Sequence, residues 1–308
     1  MTLVTALVDI GREAWPALAR SFETYLRFME PLLALDARLV VLIDEKAEAF
    51  VRERRRGRES QTEVRPIKVE SLPCYRYLDA FTRVMGTDEY RTENELVAHQ
   101  LPEAVVPLYN VLVNSKIHLL GDIAAEAPFG DVLHFWIDAG FGHGDPIHFQ
   151  HRWPNNVDWD RSREVMLLFQ LGSFVTSMYE FPRAASLPEH LDFGTNLTLL
   201  GWHHLLQNFF RTKLWKRRFP PTVAGGVFGG TAAAIDRLQR ACTEALEGCL
   251  ASGIADDEQT TFALCVMKDF RISARWRTCT WFSQFGDLCH LLGPGKDWLA
   301  ARAYSAGQ

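Results

Sequence analysis

Three short apolar runs constrain this chain more than any other feature: TLVTALV (2–8), ARLVVLID (37–44) and DVLHFWID (131–138). Each is rich in branched or aromatic side chains, and an aspartate, Asp9, Asp44 or Asp138, stands at or just beyond its end. Continuous apolar character marks strands covered on both faces, as in sheets with helices on either side. Between the first two runs, REAWPALARSFETYLRFMEPLLAL (12–35) has the apolar spacing of a helix; EKAEAFVRERRRG (45–57) continues as another, and EVRPIKV (63–69) suits a third strand. A helical stretch over roughly 92–122 then leads into DVLHFWID. Strand, helix, strand, helix is the pattern of an α/β fold with a parallel sheet. Ligands of such sheets collect at the carboxyl ends of the strands, where Asp9, Asp44 and Asp138 stand.

The second half is less regular. DFGTNLTLLGWHHLLQNFFRTKLWKRRF (192–219) reads as helical up to its Pro-Pro breaker, and PTVAGGVFGG (221–230) is a short apolar run bracketed by glycine pairs. TAAAIDRLQRACTEALEGCL (231–250) predicts an amphipathic helix with Thr231 as N-cap, and DDEQTTFALCVMK (256–268) predicts another with three acids at its start. No repeat or linker interrupts the chain. One domain over 1–308 is expected, with a nucleotide-binding half (1–140) and an acceptor and sugar half (141–308) that includes a closing C-terminal loop.

Charge and cysteine usage exclude some functions. A formal charge of −5 and a pI near 6.1 do not suit a protein whose main partner is nucleic acid. Six cysteines lie far apart without a CxxC pair, as expected of reduced thiols in a cytoplasmic chain. The opening MTLVTALVDIGR lacks the basic segment of a signal peptide, and no run is long and apolar enough to span a bilayer. The expected location is cytoplasmic. NFFRTKLWKRRF (208–219) interleaves aromatic and basic residues, which suits either peripheral contact with anionic lipid at the inner membrane face or a helix with buried rings and snorkelling bases.

Four segments carry possible chemistry, and each has an ordinary structural reading. Asp138 suits a turn or helix cap as well as a ligand site. GGVFGG (225–230) is either a tight strand-to-helix junction or backbone that a ligand approaches closely. Asp256, Asp257 and Glu258 stand where a helix N-terminus favours negative charge, with or without a catalytic task. HLLGPGKDW (290–298) is the most specific, since it offers a metal ligand, close-approach backbone and a cation for phosphate in one loop.

In this order the motifs resemble those of GT-A glycosyltransferases, and the last loop is similar to the HxxGxxKPW loop of glycogenin-like retaining enzymes, with Asp297 in place of proline. SKIHLL (115–120) resembles the lysine-bearing helix that contacts the donor in those enzymes. TALVDIGR, LVVLID and above all FWIDAG resemble the HtrL/YibB family, which implies a glycosyltransferase of the bacterial cell envelope. The resemblance implies a GT-A-like Rossmann-type sheet flanked by helices. It also implies a UDP-sugar donor, a carbohydrate, lipid-linked or protein acceptor, and transfer with retention.

Residue by residue, it implies that Asp138 is the first acid of a DxD motif holding Mn²⁺ or Mg²⁺ with His290. Lys296 and the backbone at Gly293 hold the diphosphate, and Lys116 reaches the donor. Ala6 and Arg12 border the base and phosphates. Gly225 and Gly226 line the sugar and acceptor site, Asp257 bonds sugar hydroxyls, and Glu258 or Gln259 stands at the reacting face. The pattern departs at Gly140, which replaces the second acid; Asp145 is a candidate substitute. Two alternatives stand beside this reading: a catalytically degenerate GT-A-like binding module, and a zinc hydrolase using His143, His148 and His151 without an HExxH pattern.

Overall fold

A computed structural model describes residues 1–15, 17–140, 166–171, 223–268 and 273–279. Seven strands among these residues form one sheet in the order β3-β2-β1-β4-β6-β5-β7. They are β1 (Thr2–Leu7), β2 (Arg38–Asp44), β3 (Thr62–Ile67), β4 (Leu133–Ile137), β5 (Met166–Leu171), β6 (Val227–Thr231) and β7 (Ser273–Cys279). The helices are α1 (Phe22–Leu33), α2 (Glu48–Arg54), α3 (Leu78–Met85), the short α4 (Asp88–Glu93), α5 (Glu95–Ala98) and α6 (Pro102–Val105), then α7 (Pro107–Glu126), α8 (Ala232–Ala251) and α9 (Glu258–Lys268). The expected α/β class, a Rossmann-type central sheet flanked by helices, is the one these residues form.

Alternate residues of β1, β2, β4 and β6 feed two separate cores. Val4, Val40, Leu42, Trp136 and Phe228 pack with Val111 and Ile117 of α7, Ile235 and Leu238 of α8 and Phe262 of α9. Their neighbours Leu3, Leu39, Val41, Phe135 and Val227 pack on the opposite face with Met29 and Leu32 of α1 and Val51 of α2. The continuous apolar runs therefore have a physical cause, because both sides of the sheet are covered.

The sheet corrects the expected parallel pattern. β3, β2, β1 and β4 are parallel neighbours, whereas β6 runs antiparallel to both β4 and β5. Glycine-rich GGVFGG encodes no direction; its direction is fixed by pairing with β4 from Leu133↔Thr231 to Ile137↔Val227. Between β1 and β4 the succession of strands reverses, since β2 and β3 lie to one side of β1 and β4 to the other. A crevice opens at such a point, beyond the carboxyl ends of the strands.

Two helix boundaries also differ from expectation. The 12–35 segment is helical in earnest only from Phe22, because Ser21 caps a new helix by accepting the Thr24 N–H at 3.2 Å. Before it, a 3₁₀ turn at Arg12–Ala14 and positive φ at Gly11 and Leu18 make the segment after β1 a loop. The 92–122 stretch is likewise broken into short helices before α7 begins at Pro107. The α8 expectation holds: Thr231 caps it, accepting the Ala234 N–H.

RERRRGR contains a buried residue that its charge conceals. Arg55 is 1% exposed and donates to the carbonyls of Leu33 and Leu35 and to Ala37 O at 2.8 Å, and to Thr62 Oγ1 at 2.8 Å. Its fork satisfies carbonyls left open at the end of α1 and joins that end to the start of β3. Burial pulls its pKa down to about 10.

Candidate functional site

The carboxyl edge of β4 meets three other elements at one buried ion-paired cluster. Helix α7 is apolar on most sides, as a helix covered by sheet and other helices must be, yet it carries Lys116 at 8% exposure. Lys116 Nζ lies 2.8 Å from Glu258 Oε1, 3.0 and 3.1 Å from the two Asp138 carboxylate oxygens and 3.3 Å from Gly225 O. Burial alone would lower the lysine pKa, but Asp138 and Glu258 together outweigh it and raise the pKa, so the ammonium stays charged.

Each partner is held in place by its own contacts. The Trp136 indole N–H donates to Asp138 Oδ1 at 2.7 Å, and the Asp138 N–H donates to Gly226 O at 2.9 Å. Trp136 is fixed by stacking on Phe228, which meets Phe262 edge-on at 4.9 Å. Gly225 has a specific need to be glycine: a Cβ there would lie 1.7 Å from Glu258 Oε1. The close-approach reading of GGVFGG is therefore met at Gly225, although the atom that approaches is a carboxylate of the same chain.

The start of α9 is tied to α7 across a long sequence separation. Asn114 donates to Asp256 O at 3.2 Å and accepts from Thr261 Oγ1 at 3.3 Å. Asp256 accepts from the Asp257 N–H at 2.9 Å and from Thr260 Oγ1 at 2.7 Å, and Asp257 accepts from the Gln259 N–H at 3.0 Å. Part of DDEQ is thus ordinary capping. Two features go beyond it. Burial, followed by the nearby charges of Asp256, Glu258 and Glu103, raises the Asp257 pKa well above the usual carboxylate range. Gln259 is 4% exposed, and its amide oxygen has no hydrogen-bond partner among the described residues.

Arg12 sits on the loop after β1, the strand that pairs with β4. Its guanidinium carbon lies 4.9 Å from the Trp15 ring centroid and 4.8 Å from that of Tyr25, and its Nε donates to Leu18 O at 3.3 Å. Burial lowers its pKa, and Tyr109 and Glu103 of the neighbouring segment are close enough to act on it. Ala6 is near the end of β1, half-buried and packed against the α7 side of the sheet.

Among the expected site residues, Lys116, Asp138, Gly225, Gly226, Asp257, Glu258 and Gln259 come together, with Arg12 and Ala6 on the neighbouring strand end. His290, Gly293 and Lys296 lie outside the described residues, as do Asp145, His143, His148, His151 and the 208–219 segment. Sequence reading missed Trp136, Asn114 and Tyr25. Trp136 stands two residues before Asp138 in FWID, a spacing that places alternate residues on one face of a strand, and this was the available signal.

The expected divalent ion does not fit the described part of this site. Asp138 accepts from an ammonium and an indole N–H, the partners of an anion already neutralised. At position 140 a Cβ would come within 3.3 Å of the Tyr25 ring, so a side chain there would need that ring to give by a few tenths of an ångström. Among the described residues, no three metal-ligating side chains converge.

Comparison with known proteins gives three relationships. Residues 1–184 match the family described as "Bacterial protein of unknown function (HtrL_YibB)". Protein HtrL of Escherichia coli (strain K12) is 24% identical over 277 residues, covering 87% of this chain and 84% of that protein. The crystal structure of mouse xyloside xylosyltransferase 1 in its apo form aligns over 96% of this chain and 94% of that one, with 10% identity and a TM-score of 0.39. With more than half of its length matched to the family, including the segments that carry Arg12, Lys116 and Asp138, the chain belongs to the HtrL_YibB family.

Proposed function

We propose that the chain is a glycosyltransferase that moves a sugar from a nucleotide-diphosphate donor, with UDP as the nucleotide, to a carbohydrate, lipid-linked or protein acceptor. The observation that carries this reading is the Lys116–Asp138–Glu258 cluster, which lies at the carboxyl edge of the sheet beside the β1/β4 reversal, where α/β sheets bind nucleotides. Asp138, 32% exposed in its side chain while Glu258 is 4% exposed, is the member a donor meets first. In this reading its carboxylate bonds the ribose, and Asp257 and Gln259 bond the sugar. Asp257, its pKa raised by burial, bonds a sugar hydroxyl. The unpartnered Gln259 oxygen faces the carbon that gains positive charge.

Transfer with retention then requires the acceptor oxygen to bond the anomeric carbon as the bond from that carbon to the diphosphate oxygen breaks. The electron pair of the broken bond stays on the diphosphate, and the acceptor proton passes to the departing oxygen. Fixed dipoles and charges in a dry site act on developing charge without reorganising. Residues 1–140 supply the nucleotide contacts and 141–308 the acceptor contacts within one domain, at the cell envelope's cytoplasmic face.

The test is incubation of the purified chain with UDP-, GDP-, CMP- and TDP-sugars, with liberated nucleotide and sugar products followed by chromatography. The expected result is slow release of UDP from a UDP-sugar, reduced about a hundredfold or more in Glu258→Gln and Gln259→Ala, in keeping with the loss of a positioned charge or dipole. Binding of a nucleotide sugar without turnover of any acceptor would instead favour the degenerate binding module, which Gly140 in place of the second acid suggests.

A further inference from the structure

Of the residues that would hold the divalent ion implied by the family resemblance, Asp138 is already paired with Lys116 and Gly140 replaces the second acid; from that disagreement we propose that Arg12, held between Trp15 and Tyr25, balances the charge of the donor diphosphate in place of a metal ion. The inference deepens the transferase reading and rests on it.

Three observations lead to Arg12. First, the Tyr25 ring stands against the position a second DxD acid would use: its atoms lie 3.3 and 3.4 Å from where a Cβ at position 140 would be, so that ring would have to give by a few tenths of an ångström. That same ring carries the Arg12 guanidinium at 4.8 Å. One aromatic side chain therefore both covers the missing acid's position and brings a permanent cation to it. Second, Lys116 has three N–H bonds and faces three acceptor groups, Asp138, Gly225 O and Glu258. It neutralises carboxylates inside the site and has no donor left for a phosphate. Third, Arg12 spends only its Nε–H on Leu18 O, so its two terminal amino groups make no hydrogen bond among the described residues. The Tyr25 hydroxyl, buried and equally without a partner there, is a further donor in the same cluster.

A guanidinium suits this task. It cannot lose its proton near neutrality, it binds two phosphoryl oxygens through parallel N–H bonds, and it is weakly hydrated enough to sit against rings. As the bond to the diphosphate breaks, charge gathers on the oxygens that Arg12 holds. That is the charge a divalent ion would otherwise neutralise. Trp15 is itself braced edge-on by Tyr109 at 5.8 Å, so the cation is positioned before substrate arrives.

The experiment measures thermal stabilisation of the full chain by UDP in EDTA and in Mn²⁺, with water-proton relaxation reporting manganese bound to the protein–UDP complex. Equal stabilisation in both conditions is expected, with no relaxation enhancement above that of Mn²⁺ and UDP alone. Arg12→Gln should raise the UDP Kd about tenfold or more, a change of at least about 1.4 kcal/mol. Arg12→Lys keeps the charge and should fall between the two, which decides the matter if Arg12→Gln fails to fold. Stabilisation only with Mn²⁺ would overturn the metal-free inference and leave the transferase standing. Wild-type UDP affinity in both Arg12 variants would overturn the role of Arg12. Failure of UDP and of the GDP, CMP and TDP series to stabilise the chain in either condition would remove the transferase reading and this inference with it.

Discussion

Asp44 and Asp138 end strands on either side of β1, at the same edge of the sheet, and only one of them belongs to a buried ion-paired cluster. Asp44 accepts the backbone N–H groups of Lys46 at 3.2 Å and Asp9 at 3.4 Å, while Asp9 pairs with the half-exposed Lys46 and accepts the Gly11 N–H. These are the contacts of a turn. Burial would raise the Asp9 pKa, but Lys46 and the Gly11 N–H together lower it. Asp138 has a buried lysine, a buried second carboxylate and an indole N–H as partners. What separates the two aspartates is the cost of the neighbouring groups: water solvates Lys46 as well as Asp9 does, whereas Lys116 has nothing but protein to balance it.

The sharpest way to break that comparison is Lys116→Met. It leaves Glu258 and Asp138 without their cation, and an expected loss of about 3–5 kcal/mol would appear in urea denaturation. A second change, Glu258→Gln, should restore part of it, because the double variant removes a charge that the single variant strands. If Lys116→Met unfolded like the wild type, the two strand ends would differ in appearance only.

Gly225→Ala is the next largest. Its methyl group would overlap Glu258, so about 1–3 kcal/mol of stability and most of the transfer should be lost, read by denaturation and by product formation. The same change at an exposed glycine such as Gly57 acts through backbone strain alone and should leave transfer unchanged.

Asp257→Asn sharpens the comparison by pH. The folded state holds a proton on Asp257 at pH values where the unfolded chain, with an ordinary carboxylate near 3.8, has released it. Stability therefore falls as pH rises through that window. Asparagine removes the slope, so the variant should be the more stable of the two at pH 7 and equal or less stable near pH 4, by melts across that range. Its transfer should fall nevertheless, because stability and a strained site trade against each other.

The smallest effect belongs to the exposed end. Lys46→Ala should cost no more than about 1 kcal/mol and respond to added salt, measured as the change in urea midpoint at low and high ionic strength.

The fold was legible where local physics decides it. Runs such as RLVVLID are apolar on both faces because two cores use them, and that pattern is written residue by residue. Thr231 as a cap was legible for the same reason. The loop after β1 was not, since its apolar spacing continues smoothly into α1 and only the Ser21 cap marks the restart. The direction of β6 was hidden because it depends on its partner strand. At the site, residue types were legible and their pairings were not. Lys116 suited a cation for the donor, yet its carboxylate partners lie 22 and 142 positions away. Arg55 shows the opposite case, a buried fork concealed within a run of surface charge.

The separation of 142 positions between Lys116 and Glu258 also orders events during synthesis. At about 5–20 residues per second, a ribosome needs roughly 7–28 seconds to add Glu258 after Lys116 has been made. Once Asp138 has been made, α7 carries an ammonium with one of its two carboxylate partners, so burying it is less favourable than in the finished chain. The nascent first half is thereby discouraged from closing over its own sheet too early.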